Sequence, residues 1–118
     1  MDLKFSDLMQ MQKDLHALHE HDWEPMTPEY GKDSVLYMVE EIGETIAILK
    51  KKGSQAVMDD PAVRQAFVEE MADVLMYYTD TLIRFGITPE EFSEAFANKH
   101  KRNMGRNYTK EYEEKYNG

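Results

Sequence analysis

Apolar residues return at three- and four-residue steps along most of the chain, and no segment of useful length alternates as a strand would. A first helix is predicted from about Lys4 to His19, on Phe5, Leu8, Met11 or Gln12, Leu15 and Leu18, with Ser6 or Asp7 as cap. A second runs from Asp33 or Ser34 to Lys52, its core stripe being Val35, Val39, Ile42, Ile46 and Leu49. Gly53 ends it, and Lys50, Lys51 and Lys52 suit the negative end of its dipole. A third begins with Asp60 as N-cap and Pro61 at the first position and ends near Phe85. Phe67, Met71, Val74, Tyr78 and Leu82 make one stripe on it, while Val68, Leu75, Met76 and Ile83 cover other sides, so it should lie buried at the centre. Thr88, Pro89 and Glu91 open a fourth helix, which carries Phe92, Ala95 and Phe96 and reaches Lys101 to Met104.

The connections are equally marked. Trp23, Pro25, Pro28 and Gly31 sit in a loop from about Asp22 to Lys32. A short link over Gly53-Ser54-Gln55 and Asp59-Asp60-Pro61 has room for a helical turn. Beyond Gly105 the tail, 105–118, is polar and aromatic, with Tyr108, Tyr112 and Tyr116. It reads as a short helix, an arm clasping a partner, or a frayed end. The fold class expected is all-α, a four-helix bundle in a single domain over 1–118, with its core over about 4–104.

Acidic clusters interrupt the apolar pattern where carboxylates are costly. The first is Val39-Glu40-Glu41-Ile42-Gly43-Glu44 and the second Glu69-Glu70-Met71-Ala72-Asp73. Residues three apart share a helix face, so Glu41 points with Glu44, and Glu70 with Asp73. Tyr37 and Ile48 fall on the side of the first pair, Ala66 and Tyr77 on that of the second. Two such helices face to face gather four carboxylates, which repel one another unless a cation or protons intervene. A hard divalent cation fits, and Mg²⁺ more than Mn²⁺, because Mg²⁺ takes few protein ligands and keeps waters for a phosphate substrate. The plainer reading is two amphipathic helices with Glu-rich solvent faces. Gly43 inside the first motif costs about 1 kcal/mol of helix propensity relative to alanine, which suggests close approach of another helix.

Glu40-Glu41-x-x-Glu44 followed by Glu70-x-x-Asp73 resembles the EExxE…ExxD signature of the MazG-like, all-α nucleoside triphosphate pyrophosphohydrolases. Trp23 upstream, Ala72-Asp73-Val74-Leu75 and Gly86-Ile87-Thr88-Pro89 extend the likeness. So does Lys99-x-x-x-Asn103-x-x-Arg106-x-Tyr108, which is similar to the family's basic tail motif. The resemblance spans roughly residues 20–108. It implies hydrolysis of a nucleoside triphosphate to monophosphate and pyrophosphate, as in the clearing of nucleotide pools. The implied ligands of Mg²⁺ or Mn²⁺ are Glu41, Glu44, Glu70 and Asp73, with Glu41 in catalysis and Glu40, roughly 100° around the helix from it, in a secondary catalytic role, orienting water or a basic side chain. Lys99 and Arg106 would meet phosphate oxygens, Asn103 would support them, and Trp23 would either stack on a base or anchor its loop on the core.

The remaining composition narrows the classes. The chain has 118 residues, 42% hydrophobic and 31% charged, and no cysteine, so disulfides and thiolate metal sites are excluded. No membrane-length apolar run or signal pattern is present, and a cytoplasmic protein is expected. A net charge of −9 argues against nucleic-acid binding. Lys99, Lys101, Arg102, Arg106, Lys110 and Lys115 nonetheless crowd the C-terminal end, suited either to an anionic substrate or to a helix C-terminus. His16, His19 and His21 lack partners for a recognisable metal site and read as surface or packing residues. Nine methionines read as core filling. The apolar third helix is easier to cover with a second subunit, so a homodimer or homotetramer is expected. Other readings are a phosphoribosyl-ATP pyrophosphohydrolase-like enzyme and a non-catalytic helical module that binds nucleotide or protein. A di-iron bundle would need Glu-x-x-His pairs, absent here.

Overall fold

The computed structural model describes residues 1–116, and they are all-α: six α-helices and one 3-10 turn, with no strand among the described residues. The helices are α1 (Phe5–Leu18), α2 (Gly31–Lys52), α3 (Ser54–Asp59), α4 (Pro61–Arg84), α5 (Pro89–Met104) and α6 (Tyr108–Tyr116). The 3-10 turn, Pro28–Tyr30, closes the loop before α2. None of the described helices is long and apolar enough to cross a membrane. The chain divides into two compact units, Met1–Ile87 and a second beginning at Thr88.

Local chemistry sets most of the boundaries. Asp60 accepts hydrogen bonds from the amides of Ala62 and Val63, satisfying two donors that a helix start leaves orphaned, and Pro61 follows it. Thr88 Oγ1 accepts from the Glu91 amide to start α5. Asp7 contributes to α1 from inside its first turn, accepting from the Lys4 amide. Gly53 stops α2 at φ 84°, a conformation that favours glycine. The link that follows is helical over α3, and the tail forms α6. Positions 117 and 118 of that tail lie outside the described residues.

α4 is the centre of the first unit, packing against α1, α2 and α3. Gly31, at the start of α2, lies under the Phe85 ring so closely that a Cβ there would collide with it. The predicted core stripe of α2 is not core. Val35, Val39, Ile42, Ile46 and Leu49 are 36–56% exposed. Toward the interior α2 turns Ser34 and Thr45, both buried, with Met38, Glu41 and Ile48 part-buried. That face lies roughly 100° around the helix from the apolar stripe. α4 likewise leaves Val68, Met71, Leu75, Met76 and Tyr78 exposed. Gly43 meets no neighbour, since an added Cβ would have nothing within 4 Å. The close approach expected there does not occur within the chain.

What the first unit seals from water is therefore largely polar. Met9 and Val57 are its buried apolar side chains, whereas Gln12, Ser34, Thr45, Thr79, Asp80 and Arg84 are buried polar ones. Gln12 takes the α1 position that Met11 could have filled, and Met11 is exposed.

Candidate metal centre and its adjoining cavity

α2 and α4 pack side by side, and their acidic motifs meet. Oxygens of Glu41, Glu44 and Glu70 lie within 4.8 Å of one another. Asp73, one turn beyond Glu70, stands close enough for its charge to act on both Glu41 and Glu70, and with Glu41 it lines the neighbouring cavity. Glu40 points elsewhere and is exposed. Thus the four acids singled out by spacing do come into one neighbourhood, three of them in mutual reach.

Their environment is strained electrostatically. Glu41 Oε2 and Glu70 Oε2 are buried with no hydrogen-bond partner. An ionised carboxylate only accepts hydrogen bonds, so contacts among these acids become favourable only when a proton or a cation is shared. Burial first, then the adjacent Glu70 carboxyl and the charges of Glu44 and Asp73, push the Glu41 carboxyl up to about 7. Glu70 is raised too, chiefly by the adjacent Glu44 carboxyl and then by burial. Two orphaned buried oxygens and three convergent carboxylates form a donor set that suits a hard divalent cation.

A cavity of about 460 Å³ adjoins the acids. Trp23, Tyr37, Tyr77, Met76 and Leu15 give it apolar and aromatic walls. Trp23 stacks on His19 at 4.6 Å between ring centroids, and the Tyr37 and Tyr77 rings stand 5.8 Å apart. His16 packs edge-on to Trp23, and its Nε2 lies 2.7 Å from the Glu24 carbonyl. The two histidines thus hold the tryptophan loop, a packing role. The Tyr77 hydroxyl is held above its ordinary range by burial, then by the Glu41 and Asp80 charges, and stays a neutral donor.

Gln12, Ser34, Asp80 and Arg84 also line this cavity, and the sequence reading did not single them out. Asp80 Oδ2 accepts from Ser34 Oγ at 2.7 Å and Arg84 Nε at 2.6 Å. Arg84 Nη1 donates to the Pro25 carbonyl at 2.6 Å, tying the tryptophan loop to α4. The available signal was an Asp–Arg pair at i,i+4 in the mostly apolar stretch from Val74 to Phe85.

Lys99, Asn103 and Arg106 belong to the second unit. Lys99, Lys101, Arg102 and Arg106 line a basic hollow at the end of α5. Arg106 is engaged locally. Its Nε donates to both Glu111 oxygens at 3.1 and 2.9 Å, its Nη1 to Asn103 Oδ1 at 3.4 Å, and it lies over the Tyr108 ring. The Arg106–Glu111 pair is solvent-exposed and worth about 0–1 kcal/mol, so a phosphate could displace it.

No protein-family model, curated protein or solved structure matches the chain.

Proposed function

We propose that the chain is a Mg²⁺-dependent nucleoside triphosphate pyrophosphohydrolase of the MazG-like kind, a cytoplasmic enzyme that converts a nucleoside triphosphate and water to monophosphate and pyrophosphate. The observation that carries this reading is the pair of buried, partnerless oxygens on Glu41 and Glu70 beside an aromatic cavity of nucleoside size. Glu41, Glu44 and Glu70, with Asp73 beside them, would hold the cation. When bound, it would neutralise phosphate charge and lower the pKa of a coordinated water.

The chain's own groups supply the rest. Trp23 offers a face for the base, and Tyr77 donates a hydrogen bond from a phenol that stays neutral. Water oxygen forms a bond to the α phosphorus as the bond to the bridging oxygen breaks and pyrophosphate leaves. Glu41 orients that water and takes its proton, while the role of Glu40, which points away from the acids, is secondary and rests on the resemblance. Cation binding requires Glu41 to give up the proton that its raised pKa otherwise holds near neutrality. The phosphate-contact roles of Lys99, Asn103 and Arg106 rest on the resemblance.

The same reading makes the working form a homo-oligomer of four-helix bundles, a dimer or tetramer. Its support is the exposed apolar stripe Val35, Val39, Ile42, Ile46 and Leu49 on α2, with Val68, Met71 and Leu75 on α4. Apolar faces of this extent are usually covered by a partner.

Phosphorus NMR of the protein with Mg²⁺ and a panel of nucleoside triphosphates tests the reaction. Monophosphate and pyrophosphate should appear together. Diphosphate with orthophosphate would mean a different phosphohydrolase, and no turnover would favour a nucleotide-binding module.

A further inference from the structure

The cavity continues well beyond the acids. Asp80 lies two helical turns past Asp73 on α4, and Ser34 two turns before Glu41 on α2, each about 10 Å along its helix. That is the reach of a nucleotide from its phosphate to the far edge of its base. The polar end of the cavity is thus placed to meet a heterocycle whose phosphates lie at the acids.

Asp80 is 4% exposed and Gln12 8%. Of the two Asp80 oxygens, Oδ2 is fully engaged by Ser34 and Arg84. Oδ1 has one contact, from Gln12 Nε2 at 3.5 Å, at the outer limit of a hydrogen bond. A buried carboxylate oxygen beside a guanidinium is an acceptor with capacity left and no donor of its own to offer. A ligand N–H group would satisfy it. A ligand carbonyl would meet two lone pairs and leave both groups unpaired.

We infer that Asp80, through Oδ1 at the polar end of this cavity, selects nucleotides whose base carries an exocyclic amino group over their oxo or deamino analogues. This rests on the cavity being a nucleotide site, as proposed above. Gln12 holds the place in the free protein, and its long contact is readily exchanged for a ligand N–H. The shared chemistry is the amino donor, and cytosine, adenine and guanine all carry one.

Calorimetric titration of the full chain with Mg²⁺ and nucleoside monophosphates tests this without any turnover. The pairs dCMP against dUMP, AMP against IMP and GMP against IMP separate the three sources. At least one amino base should bind roughly 10- to 100-fold tighter than its analogue, the range expected when a buried polar group is left unpaired. Asp80→Asn should bring that ratio close to one, because a carboxamide can present either donor or acceptor. If circular dichroism shows that variant unfolded, the wild-type ratios decide, together with Gln12→Leu, which keeps Asp80 and should retain the preference. Equal binding within every pair, binding of none, or preference for the oxo base, which would point to the spare donors of Arg84, overturns the inference. Amino and oxo triphosphates turned over at equal kcat/KM would overturn it and leave the hydrolase reading intact. Amino-base preference without pyrophosphate release from any triphosphate would do the reverse.

Discussion

Glu41 on α2 and Glu70 on α4 bring carboxylate oxygens within 4.8 Å of each other, and each keeps its Oε2 buried without a hydrogen-bond partner. Acids so placed repel unless something positive lies between them, and the consequences can be measured.

Magnesium affinity should depend on the acids together. Glu44→Gln and Asp73→Asn are each expected to weaken Mg²⁺ binding by roughly tenfold or more, since both remove negative charge from the same donor set. Isothermal titration of folded variants with affinity unchanged in both would remove the metal assignment.

Stability without metal should fall as pH rises. The folded-state pKa of Glu41, about 7, lies above its ordinary 4.5, so the native state holds this proton more tightly than the unfolded chain does. Its contribution is full below about 4.5 and is lost as pH rises through about 7. In chelator, the Tm of Glu41→Gln should vary less across that window than wild type, and Mg²⁺ affinity of the wild type should increase. A Glu41→Gln profile parallel to wild type would contradict the shifted titration.

Arg84→Ala should destabilise the first unit by about 3–5 kcal/mol, the usual cost of stripping a buried charge of its partner. The double variant Asp80→Asn, Arg84→Met should recover part of that loss. Urea denaturation that leaves Arg84→Ala within about 0.5 kcal/mol of wild type would mean the pair is effectively solvated.

Light scattering at micromolar concentration should return two or four times the mass of one chain. Ile46→Glu and Val39→Glu, which put charge on the exposed α2 stripe, should shift it toward monomer. A monomeric wild type would leave the stripe to another partner.

Lys99→Ala should slow triphosphate turnover while Mg²⁺ affinity stays within about twofold, because its assigned contact is with phosphate and not with the cation. Loss of both in a folded variant would move Lys99 out of that role.

Helix identity and most boundaries were legible because their causes are local. Asp60 before Pro61 and Thr88 before Pro89 act within one turn of the backbone they cap. The shared face of Glu41 and Glu44, and of Glu70 and Asp73, follows from helical spacing alone. The α2 stripe was misread because periodicity shows that a helix has an apolar side, not which neighbour covers it. In this chain α2 meets α4 through Ser34 and Glu41, and the stripe stays outside. Asp80 escaped notice for the same reason. Its partners Ser34 and Gln12 lie 46 and 68 residues away, and nothing within a turn of Asp80 announces them. The residue types and their helical phase were thus set by sequence. Which carboxylates converge, and which polar groups are sealed beside the cavity, depended on the packing of α1, α2 and α4, where distant residues meet and burial sets the cost of a missing partner.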